Sequence, residues 1–392
     1  MSYEMLEAVI DLGRLAKGFA ARAKSRRGGG TDYAGEAFRD TVKKAVERIH
    51  PASMKLLLSE VITETPSTRT LRFRRVDGEL PPFRAGQYVN LFATIGGVRT
   101  SRPLSISSAP GGVHLDLTVR GKPGGFFSNW LLKNANTGDI FESTGPAGSF
   151  CIEPLIDRGE IVMIAGGCGV TPFMSIIREA VINGFSRKLR LIYGCRHGSD
   201  VIFQKELVDT AAENPELDFT LVLSEPGAGY VGPRGFITAD VIKRYAGGID
   251  GKTFMVCGPN AMYDLVAREL AAVGVPLHKV RRELYGPPDK VTALPGWPAG
   301  LAASTTFKVE VEGKGALMAK AGEPLLNSLE RAGIVSPCLC RSGECSLCRA
   351  RVVSGQVFMP PTTGIRESDR KNGYVHTCVS YPVSDLKINL QG

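Results

Sequence analysis

The feature that most constrains this chain is a group of cysteines near its carboxyl end. Cys340, Cys345 and Cys348 form a C-x4-C-x2-C run, and Cys378 follows thirty residues later. This spacing is typical of the ligands of a [2Fe–2S] cluster, where a short loop supplies three thiolates and a second segment supplies the fourth. A zinc site that also uses the nearby Cys338 is the alternative, although zinc sites favour closely paired cysteines.

The sequence around these cysteines resembles the plant-type ferredoxin domain over residues 305–392. Pro337 precedes the loop and the segment 349–357 (RARVVSGQV) follows it, as in that family. The resemblance implies a β-grasp fold in which Cys340, Cys345, Cys348 and Cys378 hold the cluster. Ser346 departs from the family, which usually has glycine there. His376 would suggest a Rieske centre, but such a centre needs two histidine ligands, and four cysteines already fill the site.

Length and composition limit the remaining possibilities. A chain of 392 residues predicts two or three domains. No run reaches the roughly 18 apolar residues of a membrane span, and no secretory leader opens the chain. Outside the cluster motif the cysteines are scattered and odd in number, which suits reduced thiols in a cytoplasmic protein. The net charge of +9 is spread among acidic residues, so nucleic-acid binding is not expected.

Residues 1–52 predict a helical extension in front of the domains. Apolar residues recur at helical spacing between Met5 and Phe19 and again between Phe38 and Ile49, and Pro51 ends the second pattern. We expect these helices to pack on the protein's own domains. Docking to a partner is the alternative.

Residues 53–153 predict a small antiparallel barrel, because short alternating strands are separated by Gly/Pro turns. Arg102-Pro103-Leu104-Ser105 resembles the flavin motif of the ferredoxin–NADP reductase superfamily. Gly124-Gly125 and Ser128 resemble its partner, a glycine turn that opens a helix. The resemblance implies that FAD binds here, with Arg102 and the glycine turn on the diphosphate and Ser105 hydrogen-bonded to flavin N5. Leu104 replaces the aromatic residue that usually stacks on the isoalloxazine.

Residues 154–288 predict a parallel α/β domain in which strands and helices alternate. The strand 161–165 runs into Gly166, Gly167 and Gly169, and Thr171-Pro172 opens a helix. A strand, a glycine turn and a helix form a cradle for a dinucleotide diphosphate.

The superfamily resemblance extends to this domain and implies a nicotinamide nucleotide as substrate. It places Cys257, Gly258 and Pro259 at the nicotinamide and Glu283 near the hydride path, so Ser105, Cys257 and Glu283 are the expected catalytic residues. At the adenosine end it points to Arg196, Ser224 and Glu225. Because Glu225 would repel a 2′-phosphate, NADH is expected rather than NADPH.

The order flavin, nicotinamide, ferredoxin, with a Pro/Gly-rich linker at 289–304, resembles the reductases of multicomponent oxygenases. The resemblance implies electron transfer from NAD(P)H through FAD and the [2Fe–2S] cluster to a partner redox protein, expected to be a terminal oxygenase. A low-potential donor to a non-oxygenase metalloenzyme or corrinoid protein is the alternative, and a binding module with a structural cluster is a further one.

Residues 305–392 carry a formal charge of +3. With Arg341, Arg349 and Arg351 beside the cluster loop, we expect an acceptor with an acidic docking patch.

Overall fold

The computed structural model describes residues 36–288 and 290–390, and it divides the chain into two compact units, Met1–Pro51 and Ala52–Gly392. In the first unit, helix α1 spans Glu36–Ile49 and stops before Pro51, as the second apolar pattern predicts. The predicted helix between Met5 and Phe19 lies outside the described residues.

The second unit begins with a six-stranded antiparallel sheet. Its strand order is β4-β3-β6-β1-β2-β5, and a bridge between Ile106 and Leu117 joins the region after β4 to β5, so that the sheet closes into a barrel. Alternate side chains point into one core that includes Leu56, Phe73 and Leu91. Helix α2 spans Phe126–Asn134 and covers one end of the barrel. The strands are β1 Met54–Thr65, β2 Thr68–Arg75, β3 Tyr88–Ile95, β4 Val98–Ser105, β5 Leu115–Arg120 and β6 Ile140–Ser143.

A five-stranded parallel sheet follows, with strand order β11-β10-β7-β8-β9. Apolar cores cover both faces, which explains why β7 and β10 are buried along their whole length. The order reverses between β7 and β10, and ligands of open α/β sheets bind at the carboxyl ends of strands at such a point. The strands are β7 Ile161–Gly166, β8 Leu189–Cys195, β9 Leu217–Leu223, β10 Thr253–Cys257 and β11 Val280–Glu283. The helices are α3 Thr171–Asn183, α4 Gln204–Glu213, α5 Ala239–Tyr245 and α6 Asn260–Ala272.

The carboxyl-terminal sheet is mixed, with strand order β13-β12-β18-β14-β16, and a small ribbon pairs β15 with β17. Helix α7, Leu325–Arg331, packs its buried leucines on this sheet, and α8 spans Glu367–Lys371. The strands are β12 Thr306–Val311, β13 Gly315–Lys320, β14 Arg349–Ser354, β15 Val357–Phe358, β16 Tyr374–His376, β17 Tyr381–Pro382 and β18 Leu386–Asn389. The three predicted sheet architectures are thereby confirmed.

The segment before β12 packs against the ribbon formed by β15 and β17. The Trp297 ring lies 5.3 Å from that of Phe358 and 6.3 Å from that of Tyr381, and Val291 is buried in the same small core. Residues 290–304 are therefore held along the ferredoxin-like region instead of spanning open solvent. Within the described part of the chain, no helix combines the length and the apolar character needed to cross a lipid bilayer.

Candidate functional site

One cavity of about 490 Å³ brings together the end of β4 and the start of α2. Its lining includes six residues that the flavin motifs predict: Arg102, Pro103, Leu104, Gly124, Gly125 and Ser128. Gly124 has a φ of 68°, which favours glycine, and a Cβ at Gly125 would lie 2.7 Å from Ser128 Oγ. The turn needs both glycines, and α2 begins directly after it.

Arg102 is the charged group of this cavity. Its Nη1 donates to Thr100 Oγ1 at 2.8 Å and to the Ser101 carbonyl at 2.6 Å, and its guanidinium lies over the Phe127 ring. Burial, together with the neighbouring Arg341 guanidinium, lowers the pKa of Arg102 to about 10. Among the described residues Arg102 forms no ion pair. A buried cation beside a helix N-terminus fits the diphosphate of a flavin dinucleotide.

The same cavity reaches the cluster loop, because Arg341 and Cys378 also line it. Residues of the flavin motif and a cysteine of the cluster motif therefore face one space, although 276 positions separate Arg102 from Cys378.

A second cavity, of about 560 Å³, lies between the barrel and the parallel sheet. Pro103, Leu104, Ser105 and Ser128 line it from the barrel. Gly166, Gly167, Gly169, Thr171, Gly258 and Pro259 line it from the carboxyl ends of β7 and β10. The predicted flavin and nicotinamide residues thus share this space.

Close backbone approach explains the glycine turn after β7. A Cβ at Gly169 would collide with the Cys257 carbonyl oxygen, and Gly167 has a φ of 52°. Thr171 Oγ1 donates to the Cys168 carbonyl at 2.7 Å, so this hydroxyl stabilises the turn. Pro172 is buried in the first turn of α3, a position that suits proline.

Two of the predicted catalytic residues stand behind the cavities. The Cys257 side chain is fully buried, and burial raises the pKa of its thiol. Glu283 is 8% exposed and ends β11. Burial, together with the nearby Glu344 and Cys340, raises the pKa of Glu283 to about 8. Neither side chain lines either cavity, whereas Ser105 lines the second one.

Tyr285 and Arg120 are site residues that the sequence analysis missed. Tyr285 lines both cavities, and its hydroxyl forms a hydrogen bond with Ser105 Oγ. Arg120 ends β5, lies against Gly167 and pairs with Asp200 at 3.1 Å. Two features of the sequence could have indicated them: Tyr285 is an aromatic residue just after β11, and Arg120 is a cation at the end of a barrel strand.

The predicted adenosine-end residues meet at the ends of β8 and β9. Arg196 and Ser224 line a third cavity of about 330 Å³. Arg196 Nε donates to Glu225 Oε1 at 2.7 Å, and the Glu225 backbone N–H donates to the Arg196 carbonyl at 2.8 Å. The hydrogen bond from the Arg196 side chain holds the pKa of the Glu225 carboxyl below its ordinary value. The cation and the carboxylate are therefore already paired with each other.

The four cysteines of the cluster motif converge in the ferredoxin-like region. Cys340 lies beside Cys345 and Cys378, and Cys348 lies beside Cys378. Three backbone N–H groups, of Ser342, Glu344 and Cys345, each donate to Cys340 Sγ at 3.4 Å. The pKa of the Cys340 thiol lies well below its ordinary value, chiefly because of hydrogen bonds with the side chains of Cys345 and Cys378, and the backbone N–H of Cys345 adds a smaller effect.

This donor set fits a two-iron cluster. Within the described ranges no three His, Cys, Asp or Glu side chains are grouped as ligands of a single metal ion. A [2Fe–2S] centre needs four thiolates distributed over two irons, which the paired cysteines provide.

Backbone geometry shapes the cluster loop. Gly343 has a φ of 83°, and a Cβ there would lie 2.8 Å from a methyl group of Val379. Ser346, which stands where related loops have glycine, has a φ of 59°. His376 Nδ1 lies 2.8 Å from the Gly343 carbonyl oxygen, so the histidine supports the loop.

The structure corrects the expected charge around the loop. Arg341 is 4% exposed and pairs with Glu330, so the prediction that it belongs to a basic surface is wrong. Arg349 pairs with Asp369 at 3.0 Å and lies over the Tyr374 ring. Of the three predicted cations only Arg351 is fully on the surface. The sequence pattern shows spacing from the cysteines but not that α7 carries a carboxylate facing Arg341.

Comparison with known proteins gives the same order of modules. Residues 55–152 match the family described as oxidoreductase FAD-binding domain, residues 163–268 the oxidoreductase NAD-binding domain, and residues 309–383 the 2Fe-2S iron-sulfur cluster binding domain.

Full-length relatives extend this similarity. The ferredoxin reductase component of 3-ketosteroid-9-alpha-monooxygenase from Rhodococcus rhodochrous is 30% identical, over 86% of this chain and 96% of the relative. The glycine betaine monooxygenase reductase subunit of Pseudomonas aeruginosa is 28% identical, over 84% of this chain and 93% of the relative. The solved structure of phthalate dioxygenase reductase shares the fold, with a TM-score of 0.65 and 22% identity over 86% of this chain and 98% of that one.

Proposed function

This chain belongs to the family of reductases that join FAD-binding, NAD-binding and [2Fe–2S] domains in one polypeptide, and we propose that it carries electrons from NADH to an oxygenase component. The observation that carries the proposal is the cavity lined by both Arg102 and Cys378, which lets the flavin and cluster sites exchange electrons directly. Two relatives that align along most of their length are named as reductases of monooxygenases.

The protein's own groups set the geometry of this transfer. When bound, FAD accepts a hydride from the nicotinamide and the cluster accepts single electrons. Arg102 and the backbone N–H groups at the start of α2 hold the flavin diphosphate. Ser105, kept in place by its hydrogen bond to Tyr285, would donate or accept a hydrogen bond at the bound flavin. The turn at Gly166–Gly169 and the segment Gly258–Pro259 bring the nicotinamide beside it.

The roles of Cys257 and Glu283 are indirect in this proposal. The Cys257 carbonyl oxygen lies so close to the Gly169 turn that no side chain would fit at Gly169. Glu283 is the last residue of strand β11 in the nucleotide-binding sheet. The Tyr263 hydroxyl donates a hydrogen bond to the Glu283 carbonyl oxygen.

For the nucleotide we propose NADH. The Glu225 carboxylate forms an ion pair with Arg196. The 2′-phosphate of NADPH would have to displace this carboxylate from Arg196 and would be repelled by its negative charge. The ratio of kcat/KM for NADH and NADPH tests this proposal, and Glu225→Gln should shift the ratio towards NADPH. A wild-type ratio at or below unity would contradict it.

For the acceptor we propose an acidic docking patch. Arg351, Arg366 and Arg370 are exposed on the ferredoxin domain, whose formal charge is +3. Like-signed surface charge steers association with an oppositely charged partner. None of the nine cysteines forms a disulfide bond, which supports a cytoplasmic location.

Reconstitution tests the proposed function. The holoprotein, NADH and a purified oxygenase component should together consume NADH in proportion to oxygenated product. NADH oxidation with dyes but with no member of a panel of oxygenase components would contradict the proposed acceptor class.

A further inference from the structure

The contact between the flavin barrel and the ferredoxin domain is polar and buried. It uses three residues of the β3–β4 hairpin: Asn90, Thr100 and Ser101, all less than 4% exposed. Asn90 Nδ2 donates to the Cys338 carbonyl at 3.1 Å, and Ser101 Oγ lies 3.8 Å from Cys338 Sγ. Thr100 Oγ1 donates to Glu330 Oε2 of α7 at 2.9 Å.

Glu330 is the central group of this contact. One carboxylate oxygen accepts from Thr100, and the other accepts from Arg341 Nη2. The Glu330 side chain is 13% exposed and that of Arg341 is 5% exposed, so the ion pair is enclosed. The carboxylate therefore joins a barrel strand to the residue that follows cluster cysteine Cys340.

The hydroxyl of Thr100 is used to its full capacity. It donates to Glu330 and accepts from Arg102 Nη1 at 2.8 Å and from Arg341 Nη2 at 3.3 Å. A hydroxyl has one proton and two lone pairs, so this geometry leaves none unused. The result is one continuous chain of hydrogen bonds from Arg102, in the flavin site, to Arg341, in the cluster loop.

Charge explains why a carboxylate is needed at the centre. Arg102 and Arg341 are two largely buried guanidinium groups that repel each other across the domain contact, and Glu330 opposes that repulsion. A buried cation without a partner is strongly destabilising, and a carboxylate that lies between two such cations reduces this penalty. Without Glu330 the two domains would meet through like charges.

We propose that Glu330 is a positioning residue for electron transfer, which locks the cluster loop to the flavin site through Thr100 and Arg341. The inference rests on the proposed function, since it concerns the step from flavin to cluster. The rate of electron tunnelling falls steeply with distance, so a loosened contact slows this step. Hydride transfer from NADH depends on the cavity between the barrel and the parallel sheet, and it does not involve Glu330.

Rapid mixing of the holoprotein with NADH separates the two steps. In Glu330→Gln, flavin reduction should keep its wild-type rate, while cluster reduction should slow by about tenfold, a typical effect for directly coupled residues. Glu310→Gln is the matched control, because it removes an exposed ion pair with Lys387 in the same domain. It should leave both rates unchanged.

A second pair of variants approaches the network from the barrel side. Thr100→Ser keeps the hydroxyl and should preserve cluster reduction, whereas Thr100→Val removes it and should reproduce the Glu330→Gln defect. FAD and iron content are measured for every variant, and if Glu330→Gln loses either cofactor the Thr100 pair decides.

The outcomes separate this inference from the proposed function. Wild-type protein whose cluster is not reduced by NADH contradicts the proposed function itself. A normal wild-type rate with equal cluster reduction in Glu330→Gln, or equal rates in Thr100→Ser and Thr100→Val, overturns the positioning role alone.

Discussion

Ser105 and Tyr285 stand 180 positions apart in the sequence and hydrogen-bond to each other through their hydroxyl groups. Ser105 ends a strand of the flavin barrel, and Tyr285 follows the edge strand of the nucleotide-binding sheet. Burial raises the pKa of the Tyr285 phenol, which keeps it protonated and able to donate. The bond therefore fixes the position of the Ser105 hydroxyl at the junction of the two domains.

Ser105→Ala should slow flavin reduction while FAD stays bound, because the proposed contacts of Arg102 with the diphosphate are untouched. Loss of one well-placed donor at a reacting centre typically costs about a hundredfold in rate. Stopped-flow absorbance of the flavin after mixing with NADH measures the change. Tyr285→Phe is the matched variant that retains Ser105 but frees it, and we expect a smaller decrease. Release of FAD from Ser105→Ala would assign the serine to flavin binding instead.

Cys345→Ser should separate the two halves of the reaction. NADH-driven dye reduction by the flavin is expected to persist, and electron transfer through the cluster is expected to be lost. The EPR signal of the reduced cluster and the iron content report the outcome. Cys338→Ser serves as the control, since Cys338 contacts Ser101 of the barrel and stands outside the proposed ligand set. A wild-type EPR signal in Cys345→Ser would remove Cys345 from that set.

Local motifs predict the three sheet architectures, and most of the predicted binding residues do line the cavities, because a glycine turn or a cysteine loop requires a particular backbone geometry. Local motifs of this kind do not predict contacts between domains. The burial of Arg341 depends on Glu330 and Thr100, which lie in two other elements of the sequence. The bond between Ser105 and Tyr285 likewise depends on how two domains meet. The sequence therefore places Arg341 on the surface beside the cluster, whereas in the structure it belongs to an internal contact.

Ser346→Gly should stabilise the cluster loop. A non-glycine residue with a φ of 59° costs roughly 1 kcal/mol, which glycine would recover. The expected result is slower loss of the cluster's visible absorbance on heating. Ser342→Gly is the comparison in the same loop, since Ser342 has no positive φ and glycine there relieves no backbone strain. Faster cluster loss in Ser346→Gly would mean that the serine hydroxyl stabilises the loop by more than its backbone strain.

Arg366→Glu should weaken electron transfer to an acidic acceptor. Arg366 is exposed, and it follows the segment at Gly364, where a Cβ would lie 3.8 Å from Glu344 Cα of the cluster loop. The second-order transfer rate should fall in the variant. In wild type it should fall with added salt, as the screening length shrinks towards about 8 Å at physiological ionic strength.

Lys320→Glu makes the same charge change on β13, the edge strand farthest from β16, and should have a smaller effect. Equal effects of the two substitutions, or a rate that is flat in salt, would contradict docking beside the cluster loop.

The central claim is that electrons pass from NADH through the flavin to the cluster within one chain. Anaerobic mixing of the holoprotein with NADH, followed by freeze-quench EPR, tests it most directly. The account predicts that the flavin is reduced first and that the signal of a reduced [2Fe–2S] cluster then appears at a rate independent of protein concentration. A cluster that stays oxidised after the flavin is fully reduced, or whose reduction rate rises with protein concentration, would contradict the account.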